Sequence, residues 1–262
     1  MSNPAMAFLT LLALLVAGAL AAVLWWTRGR RPPAVQPRLL AWAGGVGVIA
    51  VWAFLVPVNV WSHLSGDNES WIFGAEAFDG GIVENLTVLF YGLAIVVCGL
   101  LFARAARLYG PASANFWRVL VVVMVVCFVA MIGEEMSWGQ HLLGFETPAE
   151  LAAANLQGES NLHNLVSPRL YDLIYQALGF ALILLPPAAW FGMRGSSRLS
   201  PVLFLQGLYT RPWVYSLLAS AGVLLQHEVF EELAEMVLAF AILFALATLA
   251  GRGGRGTMPT ST

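Results

Sequence analysis

Long apolar runs separated by short polar stretches dominate this chain. Runs of about 20 residues, enough for a helix to cross about 30 Å of hydrocarbon, stand at Ala5 to Trp26, Leu39 to Trp61, Ile82 to Ala103 and Phe116 to Gly133. The fourth is carried on to residue 137. Three more follow: Leu170 to Met193, broken by Pro186 and Pro187, Pro212 to Gln226, and Val229 to Ala250. The sixth is short and crowded at its start by Arg211 and Pro212, with Leu199 to Tyr209 as a further contributor. The pattern predicts an all-α, polytopic transmembrane helix bundle of about seven spans, one domain over residues 1–250. A Gly-rich, basic stretch at 251–262 reads as a disordered cytoplasmic tail.

Composition supports this reading, since 59% of the residues are hydrophobic and 11% charged, against about 25% charged in an ordinary soluble domain. The first segment is not read as a cleaved signal peptide: it has no basic leader, is too long for a signal core, and runs directly into Arg28, Arg30 and Arg31. Cys98 and Cys127 lie inside apolar runs, where a thiol acts as a small hydrophobe.

Charge placement orients the bundle. All basic residues are arginine, and seven alternating spans put 12 of the 13 on one side, leaving only Arg169 on the other. Positive loop residues stay cytoplasmic, so the N-terminus is expected outside and the C-terminus inside. Every acidic residue, and each of His63, His141, His163 and His227, falls at the outer face. Any chemistry is therefore expected to be extracytoplasmic. The partners expected are the bilayer and a lipid-linked substrate, with no nucleic acid.

Two polar stretches interrupt the apolar pattern at that face. The first is "MIGEEMSWGQHLLGF", Met131 to Phe145. If the fourth helix continues past Gly133, Glu134, Trp138 and His141 share one face at i, i+4, i+7, with Glu135 about 100° away. The second is "QHEVFEELAEM", where Glu228, Glu231, Glu232 and Glu235 form an acidic stripe with His227 four residues before Glu231. A charge exposed to lipid costs about 2.5 to 3.5 kcal/mol at the centre of a span, so the stripe should face the bundle interior or a wet cavity. A bound metal, shared protons or a cationic ligand would each relieve the repulsion. Carboxylates with His141, His163 and His227 would suit zinc, manganese or iron. A metal-free proton-sharing cluster and a merely solvated rim stay open beside it.

Each candidate has a plainer reading. Trp138 fits an interfacial aromatic belt, and Gln140 suits hydrogen bonding between helices. Glu84 and Asp172, near helix starts, suit the positive end of a dipole. Between the fourth and fifth spans, Thr147, Pro148 and Glu150 predict a short extracytoplasmic helix with Thr147 as N-cap, ended by Gly158. After it, "ESNLHN" gathers Glu159, Asn161, His163 and Asn164, as a loop over a site or as residues capping their own turns.

The string "GEEMSWGQHLLGFETPAELAAANLQGESNLHN" resembles a segment shared by uncharacterised bacterial polytopic membrane proteins with an EExSWGQ and NLHN pattern. It implies a polytopic membrane fold and brings no biochemistry. The paired glutamates are also similar to the EExxxR motif of CAAX-protease-like intramembrane proteases, but Gly139 stands at the arginine position and no FxxxH or HxxxN follows. Seven spans with several histidines resemble the alkaline-ceramidase and progestin-receptor superfamily in architecture only.

The sequence thus suggests a metal-dependent hydrolase or transferase acting on a lipid-linked or membrane-anchored substrate. His141, His163, His227 and Glu231 are its candidate ligands. Glu134 or Glu135 is the candidate general base, beside Gln140, Trp138, Asn161, Asn164, Glu228, Glu232 and Glu235. The rival readings are a proton- or cation-coupled transporter and a non-catalytic subunit with a buried polar cluster.

Overall fold

A computed structural model describes residues 37–65, 81–156, 158–162, 165–192 and 212–251. Among these the chain is entirely helical. Helix α1 (Pro37–Ala50) passes through a π turn (Val51–Leu55) into α2 (Val56–Ser65). Then come α3 (Ile82–Tyr109), α4 (Ala114–Glu135), the short α5 (Gln140–Leu143) and α6 (Ala149–Ala154), α7 (Pro168–Gly192), α8 (Pro212–Leu224) and α9 (Glu231–Ala250). Four stretches are long and apolar enough to cross a membrane: Gly44–Ser62, Ile82–Tyr109, Ala114–Glu135 and Glu228–Ala250. The expected first span at 5–26 and the tail beyond Gly251 lie outside the described residues. The expected sixth span appears as a helix of 13 residues, Pro212–Leu224, about 20 Å long at 1.5 Å per residue and so shorter than the hydrocarbon layer.

Prolines act differently at two sites. Pro57 has no N–H for the Ala53 carbonyl, and its ring would strike that carbonyl in a regular α-helix. The π turn just before it widens the helix, and the Val56 N–H bonds to the Val51 carbonyl five residues back. By contrast, Pro186 and Pro187, expected to break the fifth span, lie within an uninterrupted α7. Neighbouring helices tolerate such gaps in the backbone ladder.

Helix α9 is the hub. Ala239, Leu246 and Leu249 pack with Tyr91, Val97, Leu101, Val121 and Phe128 of α3 and α4. Leu233, Ala234 and Val237 meet Val51, Val83, Ala221 and Leu224, and Ala241 and Ala245 meet Val214, Leu217 and Leu218 of α8. Beyond its acidic first two turns α9 is packed by neighbours on most sides and is apolar accordingly, and its alanines let those neighbours approach closely. Helix α4 buries one side, through Trp117, Val121 and Phe128, and exposes Val119, Val122, Val126 and Val129 on the other. That second face is suited to lipid. Helices α7 and α8 cross at two glycines: a Cβ on Gly179 would lie 2.5 Å from the Gly222 carbonyl oxygen, and one on Gly222 would lie 2.6 Å from that of Gly179.

This packing separates charge by end. Glu84 opens α3 and Glu135 closes α4, while Arg104 and Arg107 end α3 and Arg118 sits near the start of α4. Arg104 Nη1 donates to the Ala250 carbonyl at 3.2 Å, placing a cation on the negative end of the α9 dipole. The acidic N-terminus of α9 lies at the opposite end, beside α2, whose Asn59 Nδ2 donates to the Val229 carbonyl at 2.7 Å.

Candidate functional site

The double glutamate is divided by the end of its helix. α4 stops at Glu135, so the expected continuation through Trp138 to His141 does not form. Instead Ser137, Trp138 and Gly139 all have positive φ, at 44°, 52° and 82°. Left-handed geometry costs an L-residue about 1–2 kcal/mol, which glycine avoids. The turn folds Trp138 back onto Gly133, where a Cβ would lie 2.9 Å from the indole ring. Trp138 Nε1 then donates to Glu134 Oε1 at 2.7 Å. Trp138 and Glu134 do meet, but through a reversal rather than along a common helix face.

The second loop completes this network. Glu134 Oε2 accepts the Leu162 N–H at 2.6 Å. Glu159 accepts from the Ser137 hydroxyl and, at 2.7 Å, from Asn161 Nδ2. Gln140 Oε1 accepts from the Thr147 hydroxyl at 2.9 Å and from the Ser160 N–H at 2.8 Å. Asn155 Nδ2 donates to both oxygens of Asn161, each at 2.8 Å. Thr147 is therefore not the N-cap expected of it: α6 has Pro148 at its N-cap and ends at Ala154 with Asn155 as C-cap, before Gly158. Glu134, Trp138, Gln140 and Asn161 are committed to holding the loop. The side chains of His141, His163 and Asn164 lie outside the described residues.

Glu135 turns the other way, into the bundle. Its carboxyl lies close to that of Glu235 of α9, with Glu84 and Glu232 near enough for their charges to act on it. The Tyr175 hydroxyl of α7 donates to Glu235 Oε1, and the Tyr171 hydroxyl lies 3.5 Å from the same oxygen. The two tyrosines also bond to each other through their hydroxyls, with ring centroids 4.2 Å apart. Four helices thus place carboxyls or phenols in one cluster, and Arg169 is the one arginine at this end among the described residues.

The acidic stripe is split as well. Glu228 lies on a 3₁₀ turn (Glu228–Phe230) and α9 proper starts at Glu231. His227 caps that turn, its Nδ1 accepting the Val229 N–H at 3.3 Å. Beside it, a cavity of about 170 Å³ is lined by Asp172, Gln176, Leu225, Gln226, His227, Glu228 and Glu231. His227 and Glu231, two of the four expected metal ligands, meet there, whereas Glu135 and Glu235 form the separate cluster. Among the described residues no group of three or more His, Cys, Asp or Glu is arranged to hold a metal ion.

Sequence reasoning passed over Tyr171 and Tyr175 and read Glu84 and Asp172 as helix-dipole residues. A signal was present, since two tyrosines four residues apart share one helix face. An interfacial aromatic belt uses the same residues at the same depth. No protein-family model, curated protein or solved structure matches the chain.

Proposed function

We propose that the protein is a seven-span membrane protein with its N-terminus outside. Its Glu135–Glu235 pair would be the acid–base site of a hydrolase or transferase acting at the extracytoplasmic face on a lipid-linked or membrane-anchored substrate. The observation that carries this reading is the convergence of the Glu135 and Glu235 carboxyls with the Tyr171 and Tyr175 hydroxyls at one end of the bundle. Two carboxyls this close repel each other unless a proton lies between them, and a shared proton would let one act as acid and its partner as base, as in other carboxyl dyads. Glu235 accepts from Tyr175, so in this reading Glu235 would serve as the base and Glu135 as the proton donor. Tyr175, whose single O–H proton goes to Glu235, holds the base in place. Beyond Arg118, the inner halves of the fourth and seventh spans carry no ionisable group, which favours a one-sided site over a transport pathway.

The test has two parts. In the full-length protein in lipid nanodiscs, the carbonyl-stretch band of a protonated carboxyl should be present and should vanish in Glu135→Gln. Mass spectrometry of membranes from expressing cells should show one lipid-linked or membrane-anchored component converted by the wild type and not by that variant. A band surviving in both Glu135→Gln and Glu235→Gln removes the dyad. A normal band with no converted component leaves a helix-packing cluster instead of an enzyme.

The topology has its own check. With Cys98 and Cys127 replaced by alanine, cysteines at Ser65 and Ser160 should react with an impermeant thiol reagent in intact cells, and one at Ser196 should not. The reverse pattern would turn the bundle over and place the carboxyl pair in the cytoplasm.

A further inference from the structure

The end of α4 is held in its shape from outside. Two consecutive non-glycine residues, Ser137 and Trp138, have left-handed backbones, and the contacts that offset this come largely from the segment after α6. Glu159 takes the Ser137 hydroxyl and Asn161 Nδ2 lies 3.3 Å from the same oxygen. Leu162 N–H holds Glu134, the partner of the Trp138 indole, and Ser160 N–H holds Gln140 just beyond the turn. The loop therefore grips the turn before, within and after its strained residues.

We infer that Glu159, Ser160, Asn161 and Leu162, with Asn155 bonded to them, form a latch that keeps α4 terminated at Glu135, and that releasing the latch lets α4 continue as a right-handed helix through Ser137 and Trp138 toward α5. The sequence encodes that second state, since Glu134, Trp138 and His141 would then fall on one helix face at i, i+4, i+7. A strained backbone persists only where surrounding structure over-determines it, and here the contacts to Ser137, and the bond that fixes Glu134 under Trp138, come from one short loop. The two arrangements exchange one set of bonds for another: side-chain bonds to the loop in the latched form, i to i−4 backbone bonds in the extended form. Gly139 biases the balance, because its φ of 82° suits glycine alone. Glu135 is the last residue of α4 in one state and mid-helix in the other, so the latch also sets the helix terminus next to Glu235.

Amide hydrogen exchange on the full-length protein in nanodiscs tests this without any substrate. A latch couples its two halves. Glu159→Ala, a change in the loop, should therefore alter exchange about tenfold at the Gly139 amide, whose partner changes from the Met136 carbonyl at 2.8 Å to the Glu135 carbonyl when α4 continues. Gly139→Ala, a change in the turn, should similarly speed exchange at the Ser160 and Leu162 amides. Glu159→Gln keeps an acceptor oxygen and should restore near wild-type exchange at Gly139, which separates the latch from general destabilisation. If each substitution alters only its own segment, or if Glu159→Gln opens the turn as fully as Glu159→Ala, the latch does not exist.

Discussion

A valine at position 222 should detach α7 from the bundle. The new Cβ would lie 2.6 Å from the Gly179 carbonyl oxygen and 2.9 Å from Ile183 Cγ1. A backbone oxygen cannot rotate away, so the two helices must separate. Separation breaks the bonds that tie them: Gln226 Nε2 to the Gln176 carbonyl at 3.3 Å, and the Tyr215 hydroxyl to the Ile183 carbonyl at 3.2 Å. Because α7 packs chiefly on α8, few other contacts remain to hold it, and lipid supplies no hydrophobic force to press the helices together. Overpacking a tight site costs about 1–3 kcal/mol and sometimes more, and Gly222→Val should reach at least the top of that range. The unfolding midpoint in detergent should fall accordingly. Tyr171 and Tyr175 should leave Glu235 at the same time, since both ride on α7. A Gly222→Val protein with the wild-type midpoint would show that α7 and α8 do not meet at these glycines.

The second large effect concerns Glu235, where stability and function should part. Glu235→Leu leaves the Tyr175 hydroxyl without its acceptor and the Glu135 carboxyl against an apolar side chain, and a buried group left unsatisfied costs about 1–3 kcal/mol. Glu235→Gln retains one acceptor oxygen and adds a donor, so both neighbours can stay bonded and stability should remain within about 1 kcal/mol of wild type. If the carboxyl pair is an acid–base site, the glutamine variant should nevertheless lose turnover by about 10²–10⁴-fold, the usual contribution of a positioned acid or base. Tyr175→Phe removes one donor and should cost about 0.5–1.5 kcal/mol while leaving Glu235 ionisable. Thermal unfolding and conversion of the membrane component, measured on the same preparations, distinguish the cases. A glutamine variant as active as wild type would reduce the cluster to a packing device.

The tests differ in kind because the determinants do. Burial, span length and helix class are set by local composition: an apolar run of sufficient length has to satisfy its backbone internally once it enters hydrocarbon, and a helix does so within one segment. For this reason the runs at 39–61, 82–103 and 229–250 coincide with helices in the structure. The polarity of the ends is also legible, since Glu84 and Arg104 on α3 must lie far apart on a straight helix whatever surrounds them. The stop at Glu135 is not. Helix periodicity carried Glu134, Trp138 and His141 onward in register, whereas the loop residues that reverse the chain, Glu159, Ser160 and Leu162, stand more than 20 positions away.

The same division explains the site. That Glu235 turns away from lipid followed from the cost of a charge in hydrocarbon, a property of one residue and its depth. That it meets Glu135 and Tyr175, while Glu134 serves the loop, depended on which helices become neighbours and how closely they approach. Small residues decide that approach, and their effect appears only once two backbones touch, as at Gly179 and Gly222. The sequence by itself determined a helical, membrane-suited chain with its acids gathered at one end. Only the tertiary structure decided which acids gather with the tyrosines and which hold a loop, because hydrogen bonds act over about 3 Å and no spacing along the chain brings residues of separate helices within that distance.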